Sequence, residues 1–192
     1  MKYKKIYVAA TSQHIGKTTT TLGLIHALQQ KNINVGYCKP VGQQFIELED
    51  IGLPVDKDTI LFADFMKFEI LPHIHSPIIL GKGATSEYLD NPEKFNYPQE
   101  LMNASKYLEN QHDMVVYEGT GHPGVGAVVK LSNAEVAKRL NAGVIMVVKG
   151  GIGNTIDRLH LSLSIFKEKK ACLLKSLALP FLVLKPQPLL LK

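Results

Sequence analysis

No stretch of this 192-residue sequence approaches the roughly twenty consecutive apolar residues of a membrane span. The apolar part of its opening, MKYKKIYVAAT, is about five residues, short of the seven to fifteen of a secretory leader. Cysteine is nearly missing: Cys38 and Cys172 form neither a disulfide framework nor a metal-spaced set, so a reducing, cytoplasmic setting and no membrane partner are expected. There is no internal repeat. With no G-x-S-x-G nucleophile elbow, hydrolysis of the esterase type is not expected. The formal charge of +5 also lacks a binding face behind it. Six lysines (167, 169, 170, 175, 185 and 192) and the single acid Glu168 lie in residues 167–192, leaving residues 1–166 with 16 basic and 16 acidic residues. A nucleic-acid partner is therefore not expected. A hydrophobic content of 45% fits one soluble globular domain with a sizeable core.

The chain alternates strand and helix patterns. KKIYVAAT (4–11) is a short apolar run ending in small residues, like a buried parallel strand. Leu22, Ile25 and Leu28 recur near helical spacing between Lys17 and about Lys31. NVGYCKPV (34–41) is a second strand, ended by Pro40. A helix over 56–66 follows, with Ile60, Leu61 and Phe65 as its apolar face, and residues 70–95 read as irregular loop. Helix 98–111, strand 113–119, helix 133–141 behind Ser132 as N-cap, strand 142–150 and helix 154–169 complete the pattern. The expected fold class is α/β with a mostly parallel sheet, ligands binding beyond the strands' carboxyl ends. From residue 170 the style breaks: KACLLKSLALPFLVLKPQPLLLK has nine leucines and no glycine, asparagine or acid. Residues 1–170 are read as the domain and 171–192 as an atypical Leu/Lys/Pro-rich tail, with a native, poorly ordered terminus and a truncated or frame-shifted end both open.

Three short segments could carry chemistry. In AATSQHIGKTTTTLGL (9–24), Gly16-Lys17-Thr18 closes a strand–turn–helix, as in G-x-x-x-x-G-K-[ST], but Thr11 stands where glycine is wanted. Backbone amides of Thr11 to Thr19, with His14 and Ile15 inside the loop, would surround an anion at a helix N-terminus. Lys17 would reach the β- and γ-phosphates, and the Thr18 hydroxyl would be a Mg²⁺ ligand. In VYEG (116–119), Glu118 ends a buried strand, where a carboxylate wants a metal or hydrogen-bonded partner; an exposed acid at a strand end is the plain alternative. Gly119 and Gly121 would let backbone approach a ligand. Lys39 in GYCKPV points to the same edge, either toward a substrate oxygen or simply into solvent. Asp58 begins a helix, with a first-turn role or a metal role open. His73 and His75 in LPHIHSP could share a face of an extended segment but lack a third ligand, and read as loop histidines.

Taken together these motifs resemble dethiobiotin synthetase and its relatives, a P-loop amidoligase group that includes cobyrinic acid a,c-diamide synthase. That family's loop, G-T-x-x-x-x-G-K-T, places its glycine at Ala10 and its threonine at Thr11. GYCKPVG is similar to the family's Y-K-P-V segment, DKDTILF to S-D-A-L, VYEGTGH to V-E-G-A-G, and GGIGNT (150–155), less specifically, to G-x-I-N. The resemblance spans residues 3–166. It implies a three-layer P-loop NTPase fold, ATP and Mg²⁺ as cofactors, and a homodimer. It also implies Lys17 and Lys39 as catalytic lysines, Thr18, Asp58 and Glu118 as metal ligands, and Thr11, His14, Ile15, Gly16, Thr19, Gly119 and Gly121 around the nucleotide. The implied activity is ATP-dependent phosphorylation of a small-molecule carboxylate or carbamate for ligation; a nucleotide-sensing regulatory module is the alternative. The run from Glu118 to Gly153, with His122-Pro123-Gly124-Val125-Gly126 in place of the usual substrate-facing loop, resembles the dethiobiotin-synthetase-like domains fused ahead of phosphotransacetylase rather than a biotin-pathway enzyme. No asparagine follows Asn154, so unselective recognition of the nucleotide base is expected.

Overall fold

A computed structural model describes residues 4–48, 52–151, 153–169 and 171. Short β-branched and small residues build β1 (Lys5–Ala10), and the loop behind it opens α1 (Lys17–Gln29). β2 (Val35–Cys38) stops before Pro40, whose ring removes a ladder donor. β3 (Val41–Gly42) leads into an antiparallel hairpin, β4 (Phe45–Leu48) with β5 (Leu53–Asp56), and α2 (Lys57–Met66) starts at once behind Asp56. Next come α3 (Pro72–His75), β6 (Ile78–Ile79), α4 (Ala84–Asp90) and α5 (Tyr97–Gln111). β7 (Met114–Glu118), α6 (Asn133–Arg139), β8 (Gly143–Val147) and α7 (Asn154–Glu168) close the described chain.

The central sheet has the order β2-β7-β1-β8, every pair parallel. Period-two alternation sorts its side chains. Ile6, Val8, Ala10, Tyr37, Val116 and Ile145 pack with Ile25 of α1 and Phe62 of α2 on one face. Tyr7, Ala9, Cys38, Val115 and Tyr117 meet Leu101 and Leu108 of α5, Val136 of α6 and Phe166 of α7 on the other. Helices cover both faces, so the strands read as continuous apolar runs. The result is the expected α/β fold in three layers. Among the described residues no helix is long and apolar enough to cross a membrane.

Four expectations change. The strand expected over 34–41 divides, because Val41–Gly42 pairs with Ile78–Ile79 in a separate two-stranded sheet. Residues 70–95 hold α3, β6 and α4 rather than irregular loop; Pro72 sits in the first turn of α3, where its missing N–H is harmless. The buried face of α2 is Thr59, Phe62 and Ala63, while Leu61 and Phe65 are 46% and 43% exposed and Ile60 is half-buried. Thr59 can be buried because its hydroxyl donates to the His75 carbonyl at 3.2 Å. His73 and His75 lie on a helical turn, where residues two apart face opposite ways: His73 is exposed and His75 is buried against Phe68, with 4.3 Å between ring centroids. The tail over 172–192 lies outside the described residues.

Candidate functional site

The loop between β1 and α1 has the geometry of an anion cradle. Thr11 continues the sheet, its N–H donating to the Val147 carbonyl at 3.1 Å. Ala10 is fully buried in β1 and is not among the positive-φ residues, so alanine replaces glycine there without strain. His14 (φ 56°) and Gly16 (φ 89°) turn the chain back to the left-handed region just before the helix. Gly16 is the N-cap of α1, no side chain caps that end and its first turn carries no acid, so the leading amides lack a side-chain acceptor. Ile15 is half-buried against the α1/α2-side core, Thr18 is half-buried, and His14 and Thr19 are exposed. Burial, followed by repulsion from Lys39, holds the Lys17 ammonium below the ordinary lysine range.

Strand alternation delivers the charged groups. Lys39 and Glu118 follow Tyr37 and Val116 by two residues, so they share the α1/α2 face at the strands' carboxyl ends. Glu118 has no exposed surface; its Oε1 accepts from the Thr18 hydroxyl at 2.8 Å and from Lys39 Nζ at 3.3 Å. Lys39 Nζ also donates to Asp58 Oδ2 at 2.5 Å from the first turn of α2, and its side chain is 4% exposed. Asp56 caps α2: its Oδ1 accepts from Asp58 N–H at 3.0 Å, and its Oδ2 from Gln43 N–H at 3.1 Å. Burial pushes the carboxyls of Glu118 and Asp56 above their ordinary ranges, and Lys39 opposes both shifts. Burial pulls the Lys39 ammonium down, but Glu118 and Asp58 outweigh it and the net shift is upward. Ionised, the three carboxylates (Asp56, Asp58, Glu118) are matched in number by Lys17, Lys39 and the exposed Lys57, which all line the same cleft. Glu118 Oε2, fully buried, has no hydrogen-bond partner.

The segment after β7 closes the site from the side. Gly121 (φ 58°) lies over the Gln13 side chain, where a Cβ would stand 3.4 Å from Nε2. Gly119 serves another purpose: a Cβ there would come within 2.5 Å of Asn133 Oδ1, and Gly119 does not line the cleft. Asn133 pins the loop, accepting from the Tyr7 hydroxyl at 2.6 Å and Thr120 N–H at 3.0 Å and donating to the carbonyls of Thr120 and His122. The cleft holds about 220 Å³, with His14, Gly16, Lys17, Thr18 and Thr19 on one side and Lys39 and Asp58 on the other. Thr11 and Ile15 shape the loop from beneath without reaching it. Sequence reasoning missed Asp56 and Asn133. Asp56 carried a readable signal as a cap residue before an apolar helix; the Asn133 contacts, 13 and 126 residues away, left none.

A family model described as an AAA domain matches residues 4–178. ATP-dependent dethiobiotin synthetase of Clostridium kluyveri is 29% identical over 161 residues, 78% of this chain and 64% of that protein. The corresponding synthetase of Endomicrobium trichonymphae is 28% identical over 176 residues, 88% of this chain and 74% of its own length. The chain thus spans just under two thirds of the Clostridium kluyveri protein. Among solved structures, the chimerical protein CapA2B2 superposes with a TM-score of 0.56 at 12% identity, over 89% of this chain and 73% of that one, a likeness of fold. With a phosphate-type loop behind β1, a buried acid at the end of the adjoining β7 and a family match across nearly its whole length, the chain belongs to the dethiobiotin-synthetase-like AAA domain family of P-loop proteins.

Proposed function

We propose that this chain binds ATP with Mg²⁺ at the carboxyl edge of its sheet and uses it to activate a small-molecule carboxylate or carbamate for capture by an amine. The observation that carries the reading is Glu118, a carboxylate without exposed surface whose Oε2 lacks any partner while its Oε1 meets Thr18 and Lys39. Such an oxygen wants a cation. Thr18, Asp58 and Glu118 would hold Mg²⁺, which supplies neutralisation of phosphate charge. Among the described residues no group of three or more His, Cys, Asp or Glu could hold a metal ion unaided; Mg²⁺ typically takes only one or two carboxylates beside substrate phosphates and water. The bare amides of Gly16 to Thr19 and the Lys17 ammonium would bind the phosphates. His14 and Gly121 border the nucleotide in this reading, and Thr11, Ile15 and Gly119 hold the loops that meet it.

In the reaction, an acceptor oxygen attacks the γ-phosphorus, ADP leaves, and the resulting acyl phosphate loses phosphate when an amine attacks its carbonyl. Lys39 neutralises the acceptor oxygen and Lys17 the departing charge. One observation favours a second reading, a nucleotide-sensing module without turnover: the Lys39 ammonium is already shared between Asp58 and Glu118. Steady-state ATP turnover against a panel of amino-carboxylates with bicarbonate, on wild type and Lys39→Ala, separates the two. Turnover stimulated by one acceptor and lost in Lys39→Ala supports ligation. Saturable ATP binding with no stimulation by any acceptor supports the sensor. Pairing of two copies across the site is part of the first reading, and sedimentation velocity tests it.

A further inference from the structure

Three tyrosines are buried in the central sheet, and their hydroxyls are not equivalent. On the α5 face, Tyr7 donates to Asn133 Oδ1 at 2.6 Å and the Tyr117 hydroxyl meets Ser105 Oγ at 2.8 Å. Tyr37, on the α1/α2 face, is 1% exposed and its hydroxyl has no partner. Among the described residues, Tyr37 Oη and Glu118 Oε2 are the two buried side-chain polar atoms in this condition. One is a donor in search of an acceptor; the other is an acceptor with free lone pairs.

The fold puts them on one face, one step apart. Tyr37 stands level with Val116 in the parallel β2–β7 ladder, so Glu118 is its diagonal neighbour two residues further along. Packing does not account for the hydroxyl. The ring stacks on Phe62 at 3.8 Å between centroids and 11° between planes, a contact that phenylalanine would make equally well. Burial and then the Glu118 charge push the phenol pKa up, which keeps it protonated and able to donate.

We propose that Tyr37 is a positioning residue for Glu118: its hydroxyl donates, through one buried water, to Oε2 and orients the carboxylate toward a bound cation. The inference rests on the reading of Glu118 as a cation ligand. A carboxylate oxygen has two lone-pair directions, so one can accept this hydrogen bond while the other faces the metal. Carboxylates that hold metals are commonly oriented by such outer partners.

The test is Mn²⁺ binding with ADP present, followed by electron paramagnetic resonance, on wild type, Tyr37→Phe, Tyr117→Phe and Glu118→Gln. Tyr37→Phe is expected to weaken Mn²⁺ about tenfold, with Tyr117→Phe within about twofold of wild type. Its melting temperature in the absence of metal should stay within about 2 °C of wild type, which separates positioning from loss of fold. Unchanged Mn²⁺ affinity in Tyr37→Phe beside a weakened Glu118→Gln overturns the inference and leaves the cation reading standing. Unchanged affinity in Glu118→Gln overturns both. Equal weakening by Tyr117→Phe also overturns the inference, because the effect would then belong to sheet packing.

Discussion

The two ends of the central sheet carry clefts of opposite character. The one at the amino ends of the strands is the larger, about 430 Å³ against about 220 Å³, and, the Tyr37 hydroxyl apart, several of the polar groups that line it have partners. His112 Nδ1 is bonded to the Leu108 carbonyl at 2.9 Å, Asn34 Nδ2 donates to the Gln111 carbonyl at 2.9 Å, and His75 Nδ1 accepts from Leu71 N–H at 3.0 Å. The carboxyl-edge cleft is small and is lined by charge, Lys17, Lys39 and Lys57 with Asp56 and Asp58; behind Lys39 lies Glu118, with one buried carboxylate oxygen without a partner, and an uncapped helix start borders it. Volume alone would select the end opposite to the one proposed. The partnerless Glu118 oxygen and the uncapped start of α1 single out the carboxyl edge.

This contrast can be broken at either end, beginning with the largest expected effect. Lys39→Met should destabilise the protein by about 3–5 kcal/mol in chemical denaturation, because it strands buried Glu118. A carboxyl whose folded pKa is raised stabilises below its unfolded value and loses that contribution as pH rises through the folded one. The loss in Lys39→Met should therefore be greater at pH 8 than at pH 5. A pH-independent loss would mean that Lys39 acts through packing. At the amino edge the sign is opposite. Burial, then His112, lowers the His75 pKa to about 4, so its contribution is present above about 6.5 and is lost as pH falls toward 4. On the order of 3 kcal/mol should disappear across that window. His75→Gln, which retains an acceptor for Leu71 N–H, should flatten the acid limb of the melting curve; a parallel limb would place the acid sensitivity elsewhere.

Smaller effects test the loops. Asn133→Ala leaves the Tyr7 hydroxyl and Thr120 N–H without their acceptor and should cost about 2 kcal/mol in urea denaturation. Ala10→Gly restores the family residue at a position of ordinary φ and should cost no more than about 1 kcal/mol, with nucleotide affinity nearly unchanged. A large gain in affinity would show that the Ala10 methyl obstructs the loop.

What was legible in the sequence was whatever one strand or one helix start dictates. The loop 11–16 was readable because an apolar run precedes Gly16-Lys17-Thr18 and a helix follows it. Lys39 and Glu118 were readable as polar residues at the ends of apolar strands and on the same edge, with a solvent-exposed role left open for each; that they share a face follows from the β2–β7 register. Asp56 and Asp58 could not be told apart without the turn joining β5 to α2, which aims one carboxylate at backbone amides and the other at Lys39. Asn133 and Tyr37 were invisible for a different reason: their significance lies in partners, or the lack of them, across the sheet. The proline- and histidine-rich composition of residues 70–95 suggested loop, because neither a four-residue helix nor a two-residue strand leaves a periodic trace.

The central claim is that the uncapped end of α1 and Glu118, with its partnerless Oε2, form one Mg²⁺–nucleotide site. Calorimetric titration with ATP, with and without Mg²⁺, on wild type and Lys17→Ala tests it most directly. Saturable binding, strengthened about tenfold or more by Mg²⁺ and weakened about a hundredfold or more by Lys17→Ala, is the predicted result. Wild type that takes up no ATP, or a Lys17→Ala variant that binds as wild type does, would contradict it.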